Sequence, residues 1–521
     1  MPPIEFDICI YGATSAGIVA AVQARRDGRS VALIDCDHWI GGLTTSGLGA
    51  TDVGRDAAIG GLAREFYREL RKHYDQDANW TRQERAQFSG RGQGKGRDVA
   101  FTFEPHVASA QFAAMLKAAK VAPIVARLDR SAGGVVKDGT RVCSIRLQDG
   151  RVIGARVFLD CSYEGDLLAA AGCDYAVGRE ANATYGETLN GVAASQATKH
   201  QFAQDVDPYL RPGDPTSGLL PGVEPASNEQ DGAGDRRIQA YCYRLCATDD
   251  PQNRVSWPRP QNYDEREFEL LLRWFDAGNR MAPWHPVHLP NRKTDSNNNG
   301  AFSTDAIGQN HAYPEASHEE RARIATAHRN WQQGLMWTLA NHPRVPFAIR
   351  EEFQRFGLAK DEWVEHGNWP PLLYVREARR LVGEVIVTEA HCNGVTVEPD
   401  PVGLGAYAMD SHNVRRHVVK GFVRNEGDVQ VRVPKPYGIS YRSLVPKRTQ
   451  CDNLLVPVCA SASHIAFGSI RMEPVFMVLA QSAAIAADMA IAGDLKVQDL
   501  PYEQLRDRLL AAGQALQWKR N

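Results

Sequence analysis

The sequence lacks the cysteine and histidine patterns that would indicate a dithiol redox centre or a metal site. Its ten cysteines are scattered through 521 residues and form no C-x-x-C pair. Cys242 and Cys246 are four residues apart, a helix-face spacing that favours a structural role. No H-x-x-x-H pattern occurs either, so we predict no bound metal. Scattered cysteines fit a reducing compartment, although they leave room for a disulfide.

The chain also lacks an excess of charge and a long uninterrupted apolar run. Lys and Arg number 60 against 62 Asp and Glu, a balance that favours neither nucleic acid nor an anionic membrane as a partner. A basic cluster at 89–97 is predicted to be a solvated loop rather than a phosphate or nucleic-acid contact. The apolar stretch 475–491 is interrupted by Gln481, Ser482 and Asp488, which indicates a buried helix rather than a membrane span. No charged and apolar leader precedes the first predicted strand, so we expect a cytoplasmic protein.

The first fifty residues carry the strongest positive signal. Residues 5–11 (EFDICIY) predict a buried strand, 12–17 (GATSAG) a tight turn, 18–26 a helix, and 30–34 a second strand that leads into Asp35. This is the strand–turn–helix–strand–acid layout of a dinucleotide site. The turn brings backbone N–H groups and a helix N-terminus to a pyrophosphate, and the acid accepts hydrogen bonds from a ribose.

A second glycine-rich segment distinguishes the kind of dinucleotide. Thr14 replaces the middle glycine of the usual turn, so the turn alone is weak evidence. Residues 37–49 (DHWIGGLTTSGLG) then add more glycines shortly after the acid. This pattern is typical of FAD proteins rather than of NAD dehydrogenases. We therefore predict bound FAD. The predicted contacts in this part of the chain are Gly12, Ala13, Thr14, Ser15, Ala16, Gly17, Asp35, Cys36, Gly41, Gly42, Leu43, Thr44, Thr45, Ser46, Gly47 and Leu48.

The rest of the chain predicts an α/β fold in which a second domain interrupts the first. Residues 105–120 predict a helix, and 123–160 predict short strands that end in a parallel strand. Residues 453–458 predict a returning strand, and a long Ala-rich helix follows from Pro474 to near Gly493. The remaining predicted FAD contacts are Ala132, Cys161, Ser162, Cys459, Gly468, Arg471 and Met472.

The middle of the chain changes character. It is rich in Trp, Pro, Asn and His and shows no dinucleotide pattern. We predict a Rossmann-like FAD-binding domain of the glutathione-reductase type, formed by residues 1–185 and 431–521. Residues 186–430 would form an inserted α+β substrate or cap domain, with helices at 319–340 and 371–381.

Several stretches together resemble a known family. They are GATSAGIVAA (12–21), WIGGLTTSGLGATD (39–52), LDCSYEGDLLAAAG (159–172), LYVREARRLVGE (373–384), AYAMDSH (406–412), YRSLVPK (441–447) and SHIAFGSIRMEPVFM (463–477). The chain is similar over nearly its whole length to the FAD-dependent oxidoreductase family, some of whose members are labelled xanthan lyases. The resemblance implies FAD and redox chemistry but no particular substrate. The lyase label has no support in these residues, because polysaccharide β-elimination needs no flavin.

Four residues are candidates for the chemistry. Oxidation of a C–OH or C–NH bond needs a base for the departing proton, and His464, in the loop expected beside the flavin, is one candidate. His412 is another, with Asp410 two residues away on the same strand face. Arg471, just before the last long helix, is a candidate for stabilising reduced flavin or binding a carboxylate. Arg376 is either a carboxylate clamp or part of a helix with ion pairs.

The leading hypothesis is an FAD-dependent dehydrogenase or oxidase acting on a small polar molecule, for example a carbohydrate-like one, with O2 or a redox partner as electron acceptor. The alternatives are a flavin monooxygenase reduced by NAD(P)H or a partner reductase, a nucleic-acid-modifying flavoprotein, and a flavin-bearing subunit of a larger enzyme. No second dinucleotide fingerprint occurs, which argues against a separate NAD(P)H domain. An oligomer is compatible with the sequence.

Overall fold

The computed structural model describes residues 2–90 and 97–518. Most of the basic cluster at 89–97 lies outside the described residues. The helices in chain order are α1 (Ser15–Arg26), α2 (Gly42–Thr45), α3 (Gly61–Tyr74), α4 (Pro105–Ala119), α5 (Asp166–Ala170), α6 (Asn182–Tyr185), α7 (Glu269–Asp276), α8 (His318–Asn341), α9 (Phe347–Arg355), α10 (Glu389–Cys392), α11 (His464–Ile470), α12 (Glu473–Gly493) and α13 (Tyr502–Ala511).

The strands are β1 (Ile4–Tyr11), β2 (Val31–Asp35), β3 (Ile124–Val125), β4 (Val135–Asp138), β5 (Arg141–Arg146), β6 (Val152–Asp160), β7 (Tyr175–Ala176), β8 (Leu245–Thr248), β9 (Arg254–Val255), β10 (Trp284–Leu289), β11 (Lys293–Asn298), β12 (Gly357–Ala359), β13 (Arg380–Leu381), β14 (Pro401–Gly405), β15 (Met409–Ser411), β16 (Arg415–Val419), β17 (Phe422–Glu426), β18 (Val429–Val431), β19 (Tyr437–Ser440) and β20 (Leu454–Leu455).

A seven-stranded sheet forms the first layer of the molecule, in the order β3-β2-β1-β6-β5-β4, with β20 beside the end of β6. The strands β3, β2, β1, β6 and β20 are parallel, and β4 and β5 are antiparallel. Cys9, Ile10 and Phe158 are fully buried, as expected for parallel strands covered on both faces. The predicted Rossmann-like topology is confirmed, although the predicted strand at 453–458 shortens to Leu454–Leu455.

Helix α12 is the most deeply buried element of this region. It begins at Glu473 with Pro474 in its first turn, as predicted. Its many alanines let α1 approach closely, and Gln481 Nε2 donates to Gln23 Oε1 across the contact (2.9 Å). The helix is long and apolar enough to cross a membrane, but 89% of its most apolar window lies inside the protein. That burial is typical of a core helix.

A five-stranded antiparallel sheet, β10-β11-β8-β12-β9, lies between the two parts of the first sheet in the chain. It packs with α7, α8 and α9 around large buried side chains such as Trp274 and Trp369. The predicted helix at 319–340 is confirmed as α8, whose N-cap Ser317 accepts a hydrogen bond from Glu320 N (3.1 Å). This part of the chain therefore combines helices and strands, and its predicted limits as a separate domain, 186–430, stay a prediction.

The helix predicted at 371–381 is wrong. The segment is irregular except for Arg380–Leu381, which pairs with β7. Its charged side chains are buried, and extended chain lets successive residues reach partners on different sides: Arg376 contacts Asp305, and Arg379 contacts Asp166. A helix would direct them along one surface, so tertiary ion pairs override the local helical propensity here.

Candidate functional site

The glycine-rich turn between β1 and α1 leaves no room for side chains at its two glycines. Gly12 has φ +106°, and a Cβ there would lie 2.7 Å from the backbone carbon of Cys161. A Cβ on Gly17 would lie 1.8 Å from the Gly12 carbonyl oxygen. Thr14, the departure from the usual pattern, caps α1: its Oγ1 accepts from Gly17 N (3.3 Å) and donates to the Cys161 carbonyl (2.9 Å). The threonine therefore ties the turn to the end of β6.

The second glycine segment passes beside the first. Gly41 and Gly42 both have positive φ, and a Cβ on Gly42 would lie 2.3 Å from Tyr163 Oη and 3.1 Å from Thr14 Cα. Leu43 N donates to Tyr163 Oη (2.9 Å). The predicted cofactor residues in 12–17, 35–36 and 41–48 are all buried. The two glycine segments thus lie against each other, as a cofactor crossing both would require.

Glu473, at the start of α12, holds this arrangement together and was not among the predicted cofactor contacts. Its carboxylate accepts hydrogen bonds from Ser15 Oγ (2.6 Å), Thr44 Oγ1 (2.6 Å) and Tyr163 Oη (2.8 Å). Burial raises the pKa of Glu473, and the three hydroxyl donors act in the opposite direction. Only its place in the first turn of a helix beginning next to Met472 could have drawn attention to it.

A recess of about 160 Å³ lies at the end of β1, where Tyr11 precedes the glycine turn. It is lined from the ends of β1, β2 and β3 by Tyr11, Cys36, Asp37 and Arg127. Burial raises the pKa of Asp37 to about 8, and the neighbouring Glu164 and Asp35 act in the same direction. The predicted ribose acid, Asp35, is buried and accepts a hydrogen bond from Trp39 N (3.1 Å).

The predicted contact Ala132 is the exception among the cofactor residues. It lies in an exposed turn just before β4. The residue from this part of the chain that lines the recess is Arg127, which follows β3 directly. The position was misjudged because β3 is only two residues long, so its end comes earlier than the sequence pattern indicates.

A second, smaller recess lies between the second glycine segment and the start of α12. Leu43 and Leu48 of the second glycine segment meet Arg471 and Met472 there, together with Tyr374. Two distant parts of the chain thus bring together four predicted residues: Leu43, Leu48, Arg471 and Met472. Gly468 packs against β15, because a Cβ there would lie 2.5 Å from the Asp410 carbonyl oxygen.

Cys459 and the β6 turn meet at the end of the sheet. The Cys459 thiol lies 3.5 Å from the Ser162 carbonyl oxygen and 3.4 Å from that of Tyr163. Cys161 and Ser162 are buried in the same turn. A glycine turn at a helix N-terminus, packed against a second glycine segment, fits the pyrophosphate of FAD.

Three of the four predicted catalytic residues belong to one closed network beside the smaller recess. We call it the charged circuit. Its members, in order of contact, are Tyr374, Arg471, Asp410, His412, Asp305 and Arg376. Arg471 donates to Tyr374 Oη (3.2 Å) and to Asp410 Oδ2 (2.8 Å). The Arg376 guanidinium closes the circuit, since it lies 4.7 Å from the centre of the Tyr374 aromatic ring.

His412 is the candidate base within the circuit. Its Nδ1 lies 2.7 Å from Asp305 Oδ2, and its Nε2 lies 3.6 Å from Asp410 Oδ2. Arg376 donates to the other oxygen of Asp305 (2.8 Å). Because a carboxylate only accepts, Nδ1 carries a proton and Nε2 is left as the basic nitrogen. Burial and then Arg376 lower the pKa of His412, so its ring is neutral at pH 7.

His464 lies next to the circuit and is more enclosed than His412. Its Nδ1 contacts Glu377 Oε2 (2.8 Å) and its Nε2 contacts Ser411 Oγ (3.1 Å). Gln239 joins the two histidines, since it donates to Glu377 (2.8 Å) and accepts from His412 N (3.3 Å). Both nitrogens of His464 thus have buried partners, and its role as a base stays a prediction.

A cluster of Glu104, His106 and Glu362 has the composition of a metal site. The ammonium of the fully buried Lys293 lies 2.9 Å from Glu104 and 2.6 Å from Glu362. It also lies 3.0 Å from Asp361. The lysine therefore provides the positive charge that these carboxylates need. All ten cysteines are free thiols.

The residues that the sequence did not reveal share one property. None of them was predicted as a site residue, and each is brought to the site by partners far away in the chain: Asp37, Arg127, Asp305, Tyr374 and Glu377. The available signals were the second glycine segment, which begins at Asp37, and the stretch LYVREARR, which contains Tyr374 and Glu377. Asp305 had none.

A family profile described as FAD dependent oxidoreductase matches residues 7–509. No curated protein matches the sequence. Among solved structures, OxyS anhydrotetracycline hydroxylase from Streptomyces rimosus is similar at 15% identity and a TM-score of 0.21 over 40% of this chain and 38% of that one. Thioredoxin reductase from Streptococcus pyogenes MGAS5005 is similar at 15% identity and a TM-score of 0.18 over 30% and 35%.

A geranylgeranyl bacteriochlorophyll reductase-like protein from Thermoplasma acidophilum is similar at 10% identity and a TM-score of 0.35 over 98% of this chain and 85% of that one. The chain spans less than half the length of the first two structures. Likenesses this distant carry no argument about substrate or reaction.

Proposed function

The chain belongs to the FAD-dependent oxidoreductase family, and we propose that it oxidises a C–OH or C–NH bond of a small polar molecule. Bound FAD supplies the hydride acceptor. The protein's own contribution is to hold the molecule and to take the proton that leaves its oxygen or nitrogen. The single observation that supports this best is the His412–Asp305 pair at 2.7 Å.

His412 has the properties of a general base for that proton. Its ring is neutral at pH 7 because burial and Arg376 lower its pKa. Asp305 orients the ring through Nδ1 and leaves Nε2 as the acceptor. The His412 side chain also keeps 13% of its surface exposed, whereas Arg376 in the same circuit is fully buried. His412 and Asp410, with 16% of its side chain exposed, are thus the less enclosed members of the network.

The imidazolium formed on proton uptake would be stabilised from two sides. Asp305 is ionised, since Arg376 and His412 outweigh burial and hold its pKa far below the usual range. Asp410 lies on the other side, 3.6 Å from Nε2, and is itself held by Arg471. A carboxylate on each side favours the charged ring as it forms.

Arg471 connects the base to the cofactor end of the site. It lines the smaller recess beside Met472 and also donates to Asp410. We assign to it the positioning of Asp410 and Tyr374 rather than direct proton transfer, because a guanidinium does not give up its proton in a protein.

The test is anaerobic stopped-flow absorbance of the purified holoprotein, mixed with polyols, sugars, hydroxy acids and amines, and separately with NADH and NADPH. The proposal predicts that at least one alcohol or amine bleaches the flavin band near ~450 nm and that neither nicotinamide does. Bleaching by a nicotinamide alone would contradict it and would favour the monooxygenase alternative. A protein that binds no FAD would contradict it as well.

A further inference from the structure

The hairpin that carries His412 presents a second acid on the same face. Strand β15 pairs antiparallel with β18, with Asp410 opposite Gln430 and Ser411 opposite Val429. Continuing this register by one residue places Asp428 opposite His412. Residues opposite each other in an antiparallel pair point to the same face, with Cβ atoms about 5 Å apart. Asp410, His412, Gln430 and Asp428 therefore share a face, and Ser411 points away toward His464.

Asp428 differs from the other acids of this region in its partners. Asp305 is paired with Arg376, and Asp410 is paired with Arg471. Asp428 is only 3% exposed, yet it makes no ion pair with any cation among the described residues. Its one side-chain hydrogen bond is a long one, from Gln430 Nε2 to Oδ2 (3.3 Å). A buried carboxylate is costly to keep without a cation, so this one is poised to receive one.

We propose that Asp428 binds the positively charged nitrogen of the substrate, which makes the substrate an amine rather than an alcohol. The proposal rests on the proposed function and deepens it. This face of the hairpin and its neighbour Arg471 would then supply three groups: Asp428 for the nitrogen, His412 for its proton, and Arg471 toward the cofactor. An alcohol has no charge to offer Asp428, which would stay protonated beside it.

The proposed substrate is a primary amine that enters the site as its ammonium ion. The nitrogen gives one proton to His412 Nε2, and the carbon beside it gives one hydride to the bound cofactor, which is reduced. The C–N single bond becomes the C=N double bond of an iminium ion. The nitrogen carries a positive charge before and after, so Asp428 stays paired through the reaction. Water later converts the iminium ion to a carbonyl compound and ammonium.

The electrostatic surroundings of Asp428 support a cation. Burial raises its pKa to about 8, with Asp410 and Asp305 acting in the same direction and Gln430 and Lys199 in the opposite one. His412, across the hairpin, is neutral. An arriving ammonium ion would favour the ionised carboxylate, so below pH ~8 binding releases a proton to solvent. Amine affinity should therefore rise as the pH approaches 8.

The test uses the holoprotein and pairs of primary amines and alcohols with the same carbon skeleton. We expect amines to bleach the flavin anaerobically and their matched alcohols to fail. In the isosteric variant Asp428→Asn, half-saturation by the amine should rise by roughly tenfold or more, while the limiting rate stays within a few-fold. Asp205→Asn, which removes an exposed carboxylate paired with Arg424, should leave both unchanged.

A second readout does not depend on turnover. Amines should raise the thermal midpoint of the wild-type holoprotein, and Asp428→Asn should abolish that rise. Equal flavin reduction by amines and alcohols, or an Asp428→Asn variant with unchanged amine dependence in both readouts, would overturn the inference. Failure of every alcohol and amine to reduce the flavin would instead overturn the proposed function, and the thermal shift would still decide whether Asp428 binds amines.

Discussion

The cofactor cradle and the charged circuit are neighbours in the structure but are built in opposite ways. The cradle, residues 12–17 with 41–48, is formed mainly by backbone and by glycines that cannot carry a side chain. The circuit is formed by side chains of alternating charge, drawn from Asp305, 374–376, 410–412 and Arg471. We propose that one region recognises the cofactor by shape and that the other controls a proton by charge.

The difference explains which part of the site tolerates change. At Gly12 and Gly17 of the cradle a single added methyl group meets backbone atoms. In the circuit each charged group has two neighbours of complementary character, so loss of one leaves a buried partner uncompensated rather than a steric clash. Glu473 belongs to both kinds, because its carboxylate at the start of α12 accepts from side-chain hydroxyls of both cradle segments, Ser15 and Thr44.

The largest effect is expected in the cradle. Gly12→Ala places a Cβ 2.7 Å from backbone atoms of Cys161 and Ser162, so the turn must deform. We expect the purified variant to contain little FAD, measured as the ratio of flavin to protein absorbance. Gly28→Ala is the matched control, since Gly28 also has positive φ but has nothing within 4 Å of its added Cβ. Both variants bear a similar backbone strain of about 1 kcal/mol. Full FAD content in Gly12→Ala would remove the steric basis of the cradle.

In the circuit the expected effect is on both stability and pH dependence. Arg376→Met leaves Asp305 without its guanidinium and should lower the free energy of unfolding by about 3–5 kcal/mol. Because Arg376 helps to lower the pKa of His412, the pH midpoint of flavin reduction should move upward in this variant. Arg376→Lys keeps the cation and should keep the midpoint closer to that of the wild type. An unchanged midpoint in Arg376→Met would show that His412 does not sense the circuit.

Glu473 offers the smallest and most specific effect. Its pKa is raised in the folded protein, so the stability it contributes is greatest at acid pH and is lost as pH rises through the raised value. Glu473→Gln should therefore cost about 1 kcal/mol near pH 4 and less at pH 8, measured by denaturant unfolding. Glu65→Gln, at an exposed pair with Arg26, should change stability by less than about 0.5 kcal/mol. A cost for Glu473→Gln that grows with pH would contradict this account.

The same contrast decides how much the sequence could predict. Three local features predicted the cradle and the α/β fold. They are the glycine spacing, the acid at the end of β2 and the helix beginning at Glu473. The circuit depends on contacts such as Arg376–Asp305, which joins positions 71 residues apart. The stretch 371–381 was predicted as a helix because its charges suit an exposed helix, and only the folded partners make it an extended buried segment. The structure brings Arg376, His412 and Arg471 together, and their roles in the chemistry stay predictions.

The most direct test of the central claim is anaerobic flavin reduction by His412→Gln, using whichever compound reduces the wild-type protein. His328→Gln is the control, because His328 is also buried but bonds only to the Ile324 carbonyl (2.8 Å). We predict that His412→Gln retains FAD and reduces it about 10²–10⁴-fold more slowly, while His328→Gln stays near the wild-type rate. The wild-type rate should fall as the pH drops below the ordinary histidine range, and the variant should lose that dependence. A His412→Gln variant that matches the wild type in both rate and pH profile would contradict the assignment of His412 as the base.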